Sequence, residues 1–500
     1  MDRQIVMGVD LGTQGLKVLV YDALSKETLA CTYETYPLHS GADGAREQEA
    51  AHWVAAFQRC LERIDHKSKA SVKAIGVSGQ QHGFVPVSRE GEVLAPVKLW
   101  CDTATTSECE ELMEAVGGSE ECFTLSGNKI AVGFTASKIL WLKKHHPDRY
   151  ANMAMIMLPH DYLNYVLTGR HSMEYGDASG TGLLDVKSRR WCKPIVKAID
   201  RQRDLLSCLP TFCDADEPVG EILPDIAVKL GLPEGIIVSA GGGDNMMAAI
   251  GTANVFDGAL TASLGTSGTL FGFSSSPVVD TQGDLAAFCS STGGWLPLLC
   301  TMNCTVATEQ VRALMGVDVA DIDHLVSNVP VGSEGVLTLP FYNGERTPNL
   351  PNGKAVLYGL DPTNTSKGHL LRSAMEAAIF GLKTGLEAFS RCQMTFTEVV
   401  LTGGGSSSAE WRQIAADILG LPVKILEQDE NAAFGAALQA LWCLEKMQKR
   451  PISLKKLTQE HLVLKEEKCC APDAANIAKY QAVYEDYKRL TATLTPLFNA

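Results

Sequence analysis

The sequence predicts an α/β protein made of two similar halves. One short motif occurs twice, as Asp10-Leu-Gly-Thr-Gln-Gly15 near the start and as Ser263-Leu-Gly-Thr-Ser-Gly268 just past the midpoint of a 500-residue chain. Apolar residues precede and follow each copy, so each predicts a strand, a glycine-bearing turn and a returning strand. Backbone amides and hydroxyls in such turns bind phosphate oxygens. The duplication therefore indicates a nucleotide held between two related halves.

Composition and charge limit the classes of function. Hydrophobic residues make up 45% of the chain and charged residues 20%, as in an ordinary globular protein. The net charge of -14 disfavours nucleic acid and anionic membranes as partners. No apolar run reaches the ~18 residues of a membrane span, and the first strand begins too soon after Met1 for a signal peptide. Fifteen cysteines without a C-x-x-C pair predict neither disulfides nor zinc, and favour the cytoplasm.

The first half begins with the hairpin and continues with a predicted helix over 47–64 and a buried strand over 72–77. This strand leads into Ser78-Gly-Gln-Gln-His-Gly83, a polar loop at a strand end, where open α/β sheets bind ligands. His82 is therefore a candidate binding residue. A loop histidine that is simply hydrogen-bonded is the alternative.

Further along, a hairpin is predicted over 86–100 with its turn at Glu90-Gly91, followed by helices over 108–116 and 134–146. The hairpin ends with Lys98-Leu-Trp-Cys-Asp102, beside the polar loop. A buried strand over 236–240 then delivers Gly241-Gly-Gly-Asp-Asn245 to the start of a helix over 246–250. Asp244 thus lies at a strand-to-helix junction, where position alone favours a helix N-cap.

The second half repeats the alternation of strand and helix. We place the domain boundary after residue 253, which gives domains 1–253 and 254–500. Strands are predicted over 334–342 and 398–402, and helices over 372–389 and 410–419. The turn Gly403-Gly-Gly-Ser406 precedes the last of these helices, whose N-terminus suits a phosphate or the approach of an adenine. A final helix, within 475–500, is expected to pack across the domain junction.

Together these residues indicate phosphoryl transfer. The turns supply amides, Lys17 supplies a cation, and Asp10 and Asp244 supply carboxylates for magnesium or for proton transfer. Phosphoryl transfer needs positioned reactants, a metal that neutralises charge and a base for the attacking hydroxyl. No G-x-S-x-G elbow is present, so the sequence does not indicate a nucleophilic serine.

Over nearly its whole length the chain resembles the FGGY carbohydrate kinases, and within that family most closely the branch that phosphorylates D-xylulose. Two family signatures fit, one across 134–145 with Ser137-Lys-Ile-Leu-Trp141 and one across 355–376 with Tyr358-Gly-Leu360. The matching motifs, in chain order, are Asp10-Leu-Gly-Thr, Ser78-Gly-Gln-Gln-His-Gly83, Leu158-Pro-His-Asp-Tyr-Leu163, Asp177-Ala-Ser-Gly-Thr181, Gly241-Gly-Gly-Asp-Asn245, Ser263-Leu-Gly-Thr-Ser-Gly268, Gly344-Glu-Arg-Thr-Pro348 and Gly403-Gly-Gly405.

The resemblance implies a two-domain actin-like ATPase fold of the ribonuclease H-like type, with duplicated mixed-sheet cores and an active site in the interdomain cleft. It also implies an enzyme that uses Mg²⁺ and ATP to convert D-xylulose into D-xylulose 5-phosphate. The alternatives are a related kinase for D-ribulose, L-ribulose or glycerol, and a nucleotide-switch ATPase. The partners are then a small ketose and ATP, and a homodimer is the default expectation.

The resemblance further implies residue roles. Asp244 corresponds to the general base, and Asp10 and Asp244 to the carboxylates at magnesium. The corresponding sugar-binding positions are Gln81, His82, Trp100, Asp244 and Asn245. The corresponding phosphate- and nucleotide-binding positions are Thr13, Lys17, Gly265, Thr266, Gly404 and Gly405.

One segment departs from the family pattern. Where the common pattern has Trp-Asn-Asp-Gly-Arg, this chain has Trp100-Cys-Asp-Thr-Ala104, which keeps the Trp and the Asp and lacks the Asn and the Arg. Gln81 stands where many relatives have Met. Both changes concern the sugar side, so the sequence leaves the identity of the sugar open while the reaction class is unaffected.

Overall fold

The protein is described from a computed structural model, which covers residues 4–498. These residues form two large mixed sheets. The seven strands of the first sheet, from one edge to the other, are Glu27–Thr35, Gly15–Asp22, Ile5–Leu11, Val72–Gly79, Ile237–Ser239 and Pro218–Glu221, with Gly242–Gly243 paired to the end of Val72–Gly79. The five strands of the second are Leu298–Thr301, Gly268–Gly272, Leu260–Leu264, Val399–Thr402 and Val423–Lys424.

The two sheets repeat one arrangement of five strands. In each, three consecutive antiparallel strands are extended by two parallel strands on the side of the first. The duplicated motifs form the turns of the two hairpins, as predicted. The last pairs before the turns are Leu11 with Leu16 and Leu264 with Gly268, so the second turn is one residue tighter.

Shorter elements complete the chain. The small strand groups are His39–Ser40 with Arg46–Gln48 and Val97–Lys98, Val85–Val87 with Met155–Met157, Ser172–Glu174 with Thr211–Cys213, Leu184–Asp185 with Arg190–Trp191, and Leu337–Pro340 with Ala355–Tyr358. The α-helices are Ala50–Glu62, His66–Lys69, Thr106–Val116, Ser119–Ser126, Thr135–His145, Pro147–Asn152, Pro159–Thr168, Tyr175–Ser179, Lys193–Ile199, Pro224–Leu230, Asp244–Gly251, Thr305–Met315, Ile322–Ser327, Lys367–Arg391, Ala409–Leu419, Asn431–Met447, Leu454–His461 and Ala474–Phe498.

The hairpin predicted over 86–100 is only partly formed. Its turn is present, since Ser88 N–H donates to Glu92 O at 2.8 Å. Its arms, however, form their ladders elsewhere: Val85–Val87 pairs with Met155–Met157, and Val97–Lys98 pairs with Arg46–Gln48. Both partner strands are distant in sequence, so local pattern alone could not identify them.

A helix from the second half of the chain packs on the first sheet. Asn431–Met447 lies against Ile5–Leu11, Val72–Gly79 and the helix Asp244–Gly251. The approach is close, because a Cβ atom on Gly8 would lie 1.8 Å from Ala433 O. The predicted boundary after residue 253 therefore separates the two sheets in sequence, while this helix joins the halves in space.

The final helix does not occupy the expected position across the junction. Ala474–Phe498 packs on Lys367–Arg391, Ala409–Leu419 and Leu337–Pro340, which all belong to the second half. Tyr480 and Tyr484 are fully buried there. The aromatic rings on its inner face therefore anchor it to one half only; residues 499–500 of the predicted span lie outside the described residues.

Two further expectations from the sequence concern the cysteines and membrane-spanning helices. All fifteen cysteines are free thiols. Within residues 4–498, no helix has both the length and the apolar character needed to cross a membrane.

Candidate functional site

Asp10 lies at the end of the first strand of the first hairpin. Its carboxylate accepts a hydrogen bond from Ser78 Oγ at 2.8 Å, which ties the hairpin to the strand before the polar loop. Burial raises the pKa of Asp10, although the Ser78 hydrogen bond and the charge of Lys17 oppose the shift. Lys17 faces Asp10 in the hairpin and pairs with Glu430. The predicted phosphate cation therefore forms an ion pair with a residue from the second half.

The turn of the first hairpin contacts Trp100 directly. Thr13 Oγ1 accepts a hydrogen bond from Trp100 Nε1 at 3.0 Å and donates to Gln80 Oε1 at 3.1 Å. Trp100, expected on the sugar side, is thus hydrogen-bonded to the turn of the first hairpin. Two residues later, Asp102 is fully buried and accepts hydrogen bonds from Arg46 N–H at 2.8 Å and from Lys98 Nζ at 3.2 Å. Asp102, the aspartate retained in the segment 100–104, therefore stabilises the conformation of this loop.

Asn245 joins two of the predicted site residues. Its Nδ2 donates to Gln81 Oε1 and to Asp244 Oδ1, each at 3.0 Å. The pairing of Gly242–Gly243 with Val72–Gly79 brings these residues together, because it sets the two strand ends side by side. The Nε2 group of Gln81 is buried and donates to no atom of the described chain. A buried donor without a partner is costly, so it is available to a ligand oxygen.

Asp244 is the first residue of the helix Asp244–Gly251, and Gly243 occupies the N-cap position. The N-cap alternative is therefore wrong. Its Oδ1 accepts hydrogen bonds from the backbone and side-chain nitrogens of Asn245, at 2.8 and 3.0 Å, while Oδ2 accepts none from residues 4–498. Burial, followed by the charge of Asp10, raises the pKa of Asp244 to about 7. The free oxygen is thus a proton acceptor poised near neutral pH.

The ring of His82 is fixed in one tautomer. Nδ1 lies 2.7 Å from Gly180 O, and since a carbonyl only accepts, Nδ1 carries the proton. Burial, and then the charge of Lys138, lowers the pKa of His82 to about 3, so the ring is neutral and Nε2 is an acceptor. The centroid of the His82 ring lies 4.7 Å from that of the Phe134 ring and 6.0 Å from that of the Phe288 ring, which belongs to the second half.

Lys138 holds the backbone of His82, and the sequence analysis did not identify this role. Lys138 is fully buried, and its Nζ donates to His82 O at 2.7 Å and to Gly133 O at 2.6 Å. His82 has a φ of 65°, which is unfavourable for a residue with a Cβ. The lysine holds the carbonyl of this strained residue in place. A lysine on the apolar face of the predicted helix over 134–146 was the available signal.

Arg346 is a second residue that was quoted in a motif but given no role. Its charge acts on His82 and on Cys300, and its guanidinium has no hydrogen-bond or ion-pair partner within residues 4–498. The neighbouring Glu345 is buried and accepts hydrogen bonds from Met302 N–H at 2.6 Å and from Asn303 Nδ2 at 3.1 Å. The loop is therefore anchored to the second sheet and presents a free cation toward His82.

The second hairpin and the third glycine-rich turn adjoin each other. A Cβ atom on Gly403 would lie 2.7 Å from the backbone of Leu264, the residue before Gly265. Thr266 is exposed, and its hydroxyl has no partner in the described chain. Gly404 has open space where a side chain would be, whereas Gly405 packs against Leu264 and Trp411. Gly404 therefore leaves room for a ligand, and Gly405 is required by packing.

The third glycine-rich turn ends just before the N-terminus of the helix Ala409–Leu419. Its residues from Gly404 onward form a 3₁₀ turn over Gly404–Ser407, and Ser408 follows as the N-cap of the helix Ala409–Leu419. Ser408 caps that helix by accepting from Trp411 N–H at 3.0 Å, and Ala409 N–H donates to Asp323 at 2.9 Å. The amides of Ala409 and Trp411 are thus used within the protein.

Comparisons with known proteins agree with this arrangement. The N-terminal domain model of the FGGY family of carbohydrate kinases matches residues 5–251, and the C-terminal domain model matches residues 260–444. A xylulose kinase of Haemophilus influenzae is 40% identical over 488 residues, which cover 96% of this chain and 98% of that protein. A xylulose kinase of Streptomyces coelicolor is 34% identical, with 87% of each chain covered.

Solved structures share the whole fold. The xylulose kinase of Bifidobacterium adolescentis has a TM-score of 0.83 and 29% identity, with 98% of this chain and 99% of that chain covered. A Brucella ovis structure described as a "xyloylose kinase" has a TM-score of 0.91 and 27% identity, with 99% of this chain and 100% of that chain covered. The predicted two-domain α/β fold is confirmed. Both domain models and these relatives extend over nearly the full length, and this chain is a member of the FGGY family of carbohydrate kinases.

Proposed function

We propose that this enzyme transfers the γ-phosphate of ATP to D-xylulose and forms D-xylulose 5-phosphate. The observation that carries the proposal is the cluster of Gln81, His82, Asp244 and Asn245 at two adjoining strand ends, with one carboxylate oxygen of Asp244 free. The named activity of relatives with 40% and 34% identity supports the choice of sugar.

The polar groups at these strand ends suit a ketose. Gln81 Nε2 is a buried donor without a partner, and His82 Nε2 is an acceptor because Nδ1 donates to Gly180 O. A ketose offers hydroxyl groups, which donate and accept, and a carbonyl, which only accepts. We assign Gln81 to a sugar oxygen and His82 to a sugar hydroxyl. A polar Gln in place of the more common Met adds one hydrogen bond to this side.

Asp244 is assigned as the general base. Its Oδ2 takes the proton of the attacking hydroxyl, the oxygen of that hydroxyl bonds to the γ-phosphorus, and the bond from the γ-phosphorus to the β–γ bridging oxygen breaks to release ADP. Asn245 holds Oδ1 through two hydrogen bonds, so the orientation of the carboxylate is fixed before the sugar arrives.

Asp10 and Asp244 fit a magnesium site. The negative charge of Asp10 raises the pKa of Asp244, and neither carboxylate accepts a hydrogen bond from a cationic side chain of residues 4–498. Magnesium is commonly held by one or two carboxylates together with substrate phosphates. When bound, Mg²⁺ supplies neutralisation of the phosphate charge.

The nucleotide is assigned to the two hairpin turns and the third turn. Thr266 with its free hydroxyl and Gly404 with open space are assigned to the second half of the site. Thr13 contributes through the backbone of its turn, because its hydroxyl is taken by Trp100 and Gln80. Lys17 reaches a phosphate by exchanging the carboxylate of Glu430 for it.

The test is ADP release with Mg-ATP in the presence of D-xylulose, D-ribulose, L-ribulose, L-xylulose, glycerol or no sugar. The wild-type enzyme should prefer D-xylulose. The variant Asp244→Asn should lose about 10² to 10⁴ in turnover with little change in sugar affinity, because a general base contributes a factor of that size. Asp225→Asn is the matched control, since Asp225 is also an acidic residue in the first turn of a helix and is exposed.

Each result has one meaning. If the enzyme prefers another sugar, the assignment as a sugar kinase stands and the proposed substrate changes. Near-normal turnover of Asp244→Asn contradicts the assignment of the base. Equal ADP release with and without sugar contradicts a sugar kinase and favours a nucleotide-switch ATPase.

A further inference from the structure

A cluster of ionisable side chains lies buried behind the sugar side of the site. His160, Asp161, Glu174 and Asp177 are each at most 1% exposed. His160 Nδ1 lies 2.6 Å from Asp177 Oδ2, and His160 Nε2 lies 3.0 Å from Asp161 Oδ1. His160, Asp161 and Asp177 come from two of the motifs noted above, and in these motifs only Gly180 has a role so far. A buried polar cluster is expensive to keep, so its geometry points to a task.

His160 lies under both turns that carry the sugar-binding groups. A Cβ atom on Gly79 would lie 2.8 Å from His160 N, and one on Gly241 would lie 3.1 Å from His160 Cδ2. Gly79 is followed two residues later by Gln81, and Gly241 is followed three residues later by Asp244. The two glycines allow the strand ends to rest on the histidine.

Asp177 connects the histidine to the ring of His82. Asp177 lies in the helix Tyr175–Ser179. Gly180, the residue that follows this helix, provides the carbonyl that accepts a hydrogen bond from His82 Nδ1 at 2.7 Å. Glu174 fixes the start of this helix, because its carboxylate accepts from Gly176 N–H at 2.6 Å and from Asp177 N–H. The bond from His160 fixes the same helix one turn before Gly180. A Cβ on Gly180 would lie 2.4 Å from His82 Nδ1, so Gly180 packs tightly against the ring of His82.

The charge state of His160 favours a donor on Nδ1. The carboxylates of Asp161, Asp177 and Glu174 outweigh burial and raise the pKa of His160 to about 9. The ring is then an imidazolium at neutral pH, with a proton on each nitrogen. Nδ1 donates to Asp177, whereas Nε2 lies 3.0 Å from Asp161 Oδ1 without hydrogen-bond geometry. The other oxygen of Asp161 accepts from Leu158 N–H at 2.9 Å. Charge-assisted bonds of this kind are short and directional.

We infer that His160 is a positioning residue for sugar binding: its Nδ1–H holds Asp177, and through Asp177 it holds the Gly180 carbonyl that sets the tautomer and orientation of His82. This inference rests on the proposed function, because it concerns the sugar side of the same site. His160 touches no substrate in this scheme. Its effect reaches the sugar through the helix Tyr175–Ser179 and the ring of His82.

Two substitutions separate the two nitrogens of the ring. In His160→Asn the side-chain amide nitrogen takes the place of Nδ1 and keeps a donor to Asp177. In His160→Gln the amide nitrogen takes the place of Nε2 and keeps the donor toward Asp161. Both variants lose the same charge, so they are matched controls for each other.

The measurement is steady-state kinetics with D-xylulose and ATP varied in turn. His160→Gln should raise KM for the sugar by about tenfold or more, the equivalent of one lost charge-assisted hydrogen bond, while KM for ATP stays within about twofold. His160→Asn should raise the sugar KM by clearly less. A merely structural role would lower kcat in both variants and leave both KM values unchanged, because a smaller fraction of folded enzyme does not alter KM.

Equal changes in the two variants, or equal changes in the KM values for sugar and ATP, overturn the inference. If neither variant yields folded protein by circular dichroism, Asp177→Ala removes the acceptor of the same hydrogen bond, and an unchanged sugar KM there overturns the inference as well. Failure of the proposed function is distinguishable, since the wild-type enzyme would then show no D-xylulose-dependent ADP release at all.

Discussion

Asp244 is surrounded by buried groups and by the negative charge of Asp10, which together raise its pKa to about 7. A base must be ionised to act, and a group with a pKa near 7 is only about one-tenth ionised one unit below it. We therefore expect kcat/KM for the sugar to fall as the pH drops below about 7, approaching tenfold per unit. The kcat/KM profile is the right measurement, because it reports the free enzyme.

A second variant gives the direction of the effect. Asp10→Asn removes the neighbouring negative charge, so the inflection should move to lower pH, even though overall activity falls with the loss of a proposed metal contact. An inflection that stays in place, or moves to higher pH, would mean that another group controls the profile.

At this scale the sequence predicted the identity of the chemical groups better than their partners. Asp244 and His82 stand at strand ends, and strand ends are visible in apolar patterning. The partners come from distant parts of the chain: Thr13 is bonded to Trp100, Lys17 to Glu430, and His82 rests on Lys138. Side-chain pairing across such separations depends on tertiary structure, which a single sequence does not reveal.

At the scale of elements, the close contact between two helices requires glycine at one position. A Cβ atom on Gly435 in the helix Asn431–Met447 would lie 1.8 Å from Met247 O in the helix Asp244–Gly251. Gly435→Ala should therefore cost about 3 kcal/mol or more in the free energy of unfolding, since the two backbones must separate. The helix that moves carries Asp244, so activity should fall as well.

Thermal and urea unfolding measure this loss of stability. Gly381→Ala is a matched control in the helix Lys367–Arg391, because the nearest atom to its Cβ would be one methyl carbon of Thr301 at 3.3 Å. Alanine also favours a helix over glycine, so the control should change stability little. Similar melting temperatures for the two variants would show that the close approach does not matter.

The helix Asn431–Met447 also shows why some elements escaped prediction. Most of its residues from Ala433 to Leu444 are buried, so it has no polar face and no amphipathic period. The helices with one buried face, such as Ala50–Glu62 and Thr106–Val116, were predicted to within a few residues. The arms of the hairpin near 86–100 failed for a related reason, because their partner strands lie far away in sequence.

At the scale of the whole molecule, the duplication was visible in the sequence because both hairpin turns need glycine. The matching order of five strands in the two sheets follows from that duplication. How the halves are joined does not follow from it. The helix Asn431–Met447 on the first sheet and the contact of Phe288 with His82 both cross between the halves, and neither leaves a local pattern.

The distribution of the proposed site over both halves predicts that sugar and nucleotide together draw them closer. Gln81, His82 and Asp244 lie on the first sheet, and Thr266 and Gly404 lie beside the second, so the phosphate and the hydroxyl meet only when the halves approach. Closure of this kind excludes water from the reacting phosphate. We expect ADP release without sugar to be at least about tenfold slower than with D-xylulose, because water alone does not bring about closure.

Small-angle X-ray scattering measures the closure itself. The radius of gyration should decrease when D-xylulose and a non-hydrolysable ATP analogue are added together, and less when either is added alone, because each ligand then contacts one half. The variant Asp244→Asn should still close, since it keeps the sugar contacts of Gln81 and His82, although it loses the base and one proposed magnesium contact. An unchanged radius with both ligands, together with ATP hydrolysis that is independent of sugar, would mean that the two halves form a rigid site and that water is excluded in some other way.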